Sequence, residues 1–335
     1  MATRGGLGGR SPSQLKESKL PRAPSRAALE ESRSKSLRLR SFAKINLGLE
    51  VLGQREDGFH ELRTLFQTID LADDIVLRPR ARGVRILCDH PLVPRDATNL
   101  AARAAELVRG YAGVTRGVEI EIRKRIPVGG GLGGGSSNAA AVLMGLDRMW
   151  RLGLGPDGLH RLARRLGADV PYFLLGGTAL GLARGDEVYP LRRQLRAHVV
   201  LVDPGIHVST ARVFARLDTR LTPREKSNSI FYFVSRELEG SGAFRFLQND
   251  LEEAALEEAP ALREHAGRIR AVLLREGACL AALSGSGSSY FGLFENARPA
   301  KRARAALAAE GTRALVGRTL TLEQYRGAWG RARNR

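Results

Sequence analysis

Apolar and polar residues alternate through Ser41–Leu52, where Ile45, Leu47, Leu49 and Val51 are interleaved with Lys44, Asn46, Gly48 and Glu50. A period of two is the mark of a strand, and it puts Lys44 and Asn46 on the same face. A turn at Gly53–Gly58 leads to a second strand from about Glu61, and further strands fit Asp74–Arg78 and Val84–Cys88. Asn99 stands where its side chain can cap a helix running to about Arg109. Val118, Ile120 and Ile122 alternate again, giving a strand. Helices at Ser137–Leu152 and Pro156–Leu166 follow, then short strands at Thr178–Leu182 and Val199–Val202. Leu221–Gly242 has no regular period. A helical pattern at 251–275 precedes strands at Ala278–Leu283 and Tyr290–Phe294 and a helix at Pro299–Glu310. Pro299 suits the first helical position, where its missing N–H costs nothing. The mixture predicts an α+β chain in two lobes, 38–196 and 197–325, with 1–37 and 326–335 outside them.

Length agrees with two lobes, since 335 residues exceed what one core supports, roughly 250–300 residues. No run of about 18 apolar residues predicts a membrane-spanning helix, and the N-terminus lacks the apolar region of a secretory signal. Cys88 and Cys279 have no metal-ligand spacing and read as reduced, packed thiols of a cytoplasmic protein.

The net charge of +19 raises nucleic acid as a partner, but its distribution argues otherwise. Residues 1–40 hold ten Lys and Arg against three Glu, and further Arg crowds Arg326–Arg335. Residues 1–37 read as a disordered basic leader, with a transit peptide as the alternative. Residues 326–335 read as a basic tail. The remaining charge is dispersed, the pattern of a solvated surface that attracts anions such as nucleotides, with neither nucleic acid nor membrane as partner. Oligomeric state leaves no mark in the sequence.

The most informative stretch is Pro127-Val128-Gly129-Gly130-Gly131-Leu132-Gly133-Gly134-Gly135-Ser136-Ser137, with six glycines in seven residues. Without Cβ atoms a backbone can approach a ligand closely. A strand, a glycine turn and a helix start together make an anion site, because unpaired N–H groups and the helix dipole both face it. Ser136 and Ser137 add hydroxyls suited to a phosphate oxygen or a magnesium ion. The loop has no lysine, so it is not a P-loop. Gly129, Gly131 and Gly134 match the dinucleotide fingerprint literally, but its acidic partner should end a following strand, and Asp147 falls in a predicted helix.

This loop, continued by Asn138, resembles the signature loop of the GHMP kinases, which phosphorylate small molecules. Ala43–Leu47, Asp57–Leu62, Leu166–Pro171, Pro204–Thr210 and Asn249–Glu252 are similar, in order, to the branch acting on 4-diphosphocytidyl-2-C-methyl-D-erythritol; together the blocks span about 41 to 295. The resemblance implies a two-lobe GHMP fold, with an N-terminal ATP-binding lobe, a C-terminal α/β lobe and the active site in the cleft between them. It implies ATP as co-substrate, magnesium, and a small cytidine-diphosphate acceptor phosphorylated on its 2-hydroxyl in the non-mevalonate route to isoprenoid precursors.

Residue by residue, the resemblance makes Asp169 the catalytic base and Lys44 the catalytic lysine, and gives Pro127–Ser137 to ATP. Phe59 and Phe214 match rings that stack on cytosine, His60 a group that bonds its edge, and Asn46 a substrate contact. Asn99 and Lys124 match adenine-pocket positions, and Ser284–Ser289 matches a third motif packed on the loop. Taken alone, Asp169 reads as a turn carboxylate and Lys44 as a solvent-facing strand lysine. The sequence departs from the family at Ala183-Arg184-Gly185-Asp186, where glycine is usual at the first position. A homoserine, mevalonate or sugar acceptor is the alternative on the same fold, and the set Phe59, His60 and Phe214 argues against it.

Overall fold

The computed structural model describes residues 36–218 and 247–330. Strands β1 (Leu37–Gln54) and β2 (His60–Arg80) form a long antiparallel ribbon. β3 (Val84–Cys88) crosses through helix α1 (Leu100–Ala112) to a parallel partner, β4 (Gly117–Arg123). Helices α2 (Gly134–Trp150), α3 (Gly155–Arg164) and the short α4 (Tyr172–Leu175) follow. β5 (Thr178–Leu182) and β6 (Glu187–Pro190) complete a six-stranded sheet, β3-β4-β2-β5-β6, with β1 on β2. The second lobe begins with β7 (His198–Asp203), α5 (Thr210–Asp218), α6 (Glu252–Glu258) and α7 (Pro260–Arg275). Then come β8 (Leu280–Leu283), β9 (Tyr290–Phe294), α8 (Ala297–Ala309) and β10 (Arg313–Arg318), in a sheet ordered β10-β7-β9-β8. α9 (Leu322–Gly330) returns to the first lobe, where Tyr325 packs on Phe42.

Hydrophobic burial sorts these elements into layers. Ala104, Val108, Leu143 and Leu146 of α1 and α2 cover one face of the first sheet against Ile75, Ile120 and Ile122. Val213, Leu262, Ile269 and Leu307 cover the outer face of the second sheet. Between the sheets, Ile45, Leu47, Leu65 and Ile69 meet Val199, Leu201, Phe291 and Leu293. The order is helices, sheet, sheet, helices. Among the described residues no helix is long and apolar enough to cross a membrane.

Several expectations shift. The strands expected from Glu61 and at Asp74–Arg78 are one strand, β2. Asp70 and Asp73 look like a break, yet each serves a neighbouring backbone: Asp70 accepts from Arg318 N at 2.9 Å, and the wholly buried Asp73 from Arg125 N and Ile126 N at 2.8 and 2.9 Å. The helix at 251–275 is two, parted at Ala259–Pro260, because proline cannot donate to the preceding turn. Pro299 is the third residue of α8 rather than the first, still within the turn whose N–H groups need no helical partner. Arg326–Gly330, expected in the basic tail, belong to α9, and β1 begins inside the expected leader at Leu37. Residues 1–35 of the leader, Leu221–Gly242 and 331–335 lie outside the described residues.

Candidate active site

The glycine loop joins β4 to α2, and it is held from two sides. Lys44 N on β1 donates to Leu132 O at 3.0 Å. From the turn between β8 and β9, Ser289 N donates to Gly130 O at 3.2 Å and Ser284 Oγ to Gly131 O at 3.1 Å. That turn is tied in its own right by Asn249 Nδ2, which donates to Leu283 O and Gly285 O at 3.0 and 2.7 Å. At Gly131 the backbone is left-handed (φ +72°), and a Cβ there would lie 2.1 Å from Ser284 O. The loop's packing against the turn therefore demands glycine before any ligand is considered. α2 starts at Gly134, earlier than the sequence suggests, and Gly133 gives it no side-chain cap. Its first-turn N–H groups are left to a ligand, and the helix dipole favours an anion there. Ser136 lines the adjoining cavity of about 760 Å³. Ser137 is buried and turned away, 2.8 Å from Ser41 Oγ.

In the same cavity Lys44 Nζ lies 3.4 Å from Asp169 Oδ2, with side chains 5% and 34% exposed. Asp169 sits in the turn between α3 and α4, where Val170 N donates to Gly167 O at 3.2 Å. Lys44 Nζ also donates to Asn46 Oδ1 at 2.7 Å. Asn46 Nδ2 donates to Thr64 Oγ1 at 2.7 Å, and Thr64 Oγ1 to Gly48 O at 2.9 Å. This chain fixes which way the Asn46 amide faces, so its oxygen is aimed at the ammonium. A Cβ on Gly133 would stand 3.1 Å from Lys44 Cγ. A buried cation, a half-exposed carboxylate and a bare-backbone anion site thus converge on one cavity. Such a set can stabilise a transferring phosphoryl group while a carboxylate takes a proton from the attacking hydroxyl.

At the start of β2, His60 stacks on Phe214 of α5, with ring centroids 4.7 Å apart at 28°. Phe214 lines the cavity. Phe59 is 52% exposed, and its ring lies under the Arg184 guanidinium at 4.8 Å. The structure therefore pairs Phe214 with His60, and places Phe59 beside Arg184, outside the cavity lining. Lys124 lines the cavity and is ion-paired with Asp73. Asn99 lines it too, while capping α1 by accepting from Ala101 N at 2.9 Å.

The GHMP kinases N terminal domain model matches residues 99–177, and the GHMP kinases C terminal model matches residues 238–313. The 4-diphosphocytidyl-2-C-methyl-D-erythritol kinase of Gloeobacter violaceus is 43% identical over 285 residues, 82% of this chain and 91% of that protein. The chain belongs to that family of GHMP kinases. The kinase of the same name from Solibacter usitatus is 42% identical over 309 residues, 90% of this chain and 94% of that protein. A crystal structure of 4-(cytidine 5'-diphospho)-2C-methyl-D-erythritol kinase superposes with a TM-score of 0.68 at 39% identity, covering 84% of this chain and 99% of that one. A homoserine kinase from Cytophaga hutchinsonii reaches the same TM-score of 0.68 at 21% identity, covering 87% of this chain and 96% of that one, and so shares the fold.

Within this GHMP kinase the departure at Ala183 leaves the turn intact. Ala183 takes the left-handed conformation itself (φ +57°), and its carbonyl accepts from Leu62 N at 2.7 Å. The strain costs about 1–2 kcal/mol. Thr64, Asn249 and Arg184 were not legible as site residues. Thr64 is a β-branched residue inside a strand, and nothing in its spacing marks it. We expect Thr64→Val to lower kcat roughly 3- to 10-fold, the worth of one neutral hydrogen bond, with the KM for ATP unchanged and Thr64→Ser near wild type. Steady-state kinetics of the two variants check this.

Proposed function

We propose that the enzyme transfers the γ-phosphate of ATP to the 2-hydroxyl of 4-diphosphocytidyl-2-C-methyl-D-erythritol, giving the 2-phosphate and ADP, in the methylerythritol phosphate route to isoprenoid precursors. The observation that carries this reading is the Lys44–Asp169 pair facing the glycine loop. Relatives 43% and 42% identical over most of the chain support the choice of acceptor.

Asp169 accepts the proton of the attacking hydroxyl, and Lys44 stabilises the charge on the phosphoryl oxygens in flight. The glycine loop and the N-terminus of α2 bind the phosphates of ATP through backbone N–H groups. Asn46 orients Lys44 and faces the acceptor. Phe214, with His60 against it, receives the cytosine, and Phe59 flanks that end; stacking of a base on an aromatic ring is worth about 1–3 kcal/mol. Among the described residues no cluster of three or more His, Cys, Asp or Glu forms a metal cage. The cavity instead offers the Ser136 hydroxyl and the Asp169 carboxylate, a donor set that fits magnesium carried mainly by substrate phosphates. Bound there, the ion would neutralise phosphate charge. Both cysteines are free thiols, in keeping with a cytoplasmic enzyme.

The test is ADP release with a panel of acceptors. The diphosphocytidyl acceptor should support turnover, and CDP should compete with it. Turnover on homoserine, mevalonate or a sugar that is indifferent to CDP would overturn the choice of acceptor.

A further inference from the structure

We propose that Arg184 binds the diphosphate of the acceptor and is the residue by which the enzyme distinguishes a nucleoside diphosphate from an uncharged nucleoside. This rests on the cytidine-diphosphate reading given above and adds a residue to it. The first support is position. Ala183 O accepts from Leu62 N at 2.7 Å, and Leu62 lies midway along β2 between His60, at the aromatic end, and Thr64, in the hydrogen-bond chain to Lys44. Strands rise about 3.3 Å per residue, so those ends are about 13 Å apart. An acceptor laid along β2 with its base on Phe214 and its hydroxyl at Asp169 has its diphosphate in between, beside Arg184.

The second support is anchorage. Arg184 Nη2 donates to Asp186 Oδ2 at 2.8 Å, and its guanidinium lies over Phe59 with Cζ 4.8 Å from the ring centroid. Asp186 is fully buried and also accepts from Arg164 Nε at 2.8 Å. A guanidinium has five N–H donors in a fixed fork, so one bond to Asp186 leaves others for a second anion.

The third support is charge. Among the described residues lining the cavity, the Lys and Arg side chains are Lys44, Lys124 and Arg184. Lys44 faces Asp169 and Lys124 faces Asp73, one charge against one. In the third cluster two guanidiniums share the Asp186 carboxylate, which leaves a surplus positive charge at the cavity wall.

Binding of cytidine, CMP and CDP to the full chain by calorimetry tests this in wild type, Arg184→Gln and Arg184→Lys. Wild type should bind CDP more tightly than cytidine. Arg184→Gln should weaken CDP roughly 10- to 100-fold, the worth of a charge-assisted contact, and leave cytidine unchanged. Its KM for the acceptor should rise with kcat and the KM for ATP near wild type. Arg184→Lys, which keeps a charge near Asp186 but not the fork, should fall between and serves as the folded control. Equal losses for cytidine and CDP in Arg184→Gln would mean that Arg184 merely props Phe59, and would overturn the inference; so would unchanged CDP binding. Wild type that binds neither ligand would overturn the cytidine reading itself, and this inference with it.

Discussion

Asp169→Asn should lose roughly 10²- to 10⁴-fold in kcat while ATP still binds, because a positioned general base contributes about that much. The amide keeps the size of the side chain and cannot take the hydroxyl proton. It also removes the charge 3.4 Å from Lys44 Nζ. The proposed ATP site lies elsewhere, on the glycine loop and the start of α2, so the dissociation constant of ATP should move little. Rapid-quench kinetics with parallel ATP titrations separate the two quantities. Near-normal turnover in this variant would remove Asp169 from the mechanism.

The second large effect is structural. Gly131→Ala puts a Cβ 2.1 Å from Ser284 O and 2.9 Å from Gly287 O, both backbone atoms that cannot swing aside. It also forces a left-handed conformation on alanine, at about 1–2 kcal/mol. Overpacking adds roughly 1–3 kcal/mol. Loop and turn must part, weakening the bonds from Ser284 Oγ to Gly131 O and from Ser289 N to Gly130 O. We expect the melting temperature to fall by roughly 5–15 °C and ATP affinity to drop more than about tenfold. Gly135→Ala is the control. Its Cβ would meet only Leu100 Cδ1, at an ordinary 3.6 Å, and alanine favours a helix interior. Its melting temperature should equal or exceed that of wild type. Equal behaviour of the two variants would show that the loop does not depend on its packing against the Ser284–Ser289 turn.

The sequence made part of this site legible, for identifiable reasons. Six glycines before a helix are costly without a purpose, so the glycine loop declared itself as a candidate anion site. Alternation placed Lys44 and Asn46 on one face of β1. It misled about that face, because a polar stripe ordinarily reads as solvated, yet Lys44, Asn46 and Glu50 are all buried. The glycine loop and the Ser284–Ser289 turn pack over Lys44 and Asn46, and no local pattern reports a cover that arrives from so far along the chain. The Lys44–Asp169 pairing was visible only through family resemblance, since neither residue is distinctive alone. Thr64 and Arg184 are brought to the cavity by the fold, and no spacing in the sequence marks either. α4 spans only Tyr172–Leu175, too short to show a period, and β10 and α9 lie past the last patterned segment.

Phosphoryl transfer from ATP on the loop to a hydroxyl activated between Lys44 and Asp169 is the step on which the proposed function rests. Phosphorus NMR of the full chain with ATP, magnesium and the diphosphocytidyl acceptor tests it most directly. The γ-phosphate signal of ATP should be replaced by one new phosphomonoester signal, unsplit by any hydrogen on the ester carbon, because the 2-carbon bears none. Inorganic phosphate alone, or a phosphomonoester split by hydrogen on its ester carbon, would contradict it.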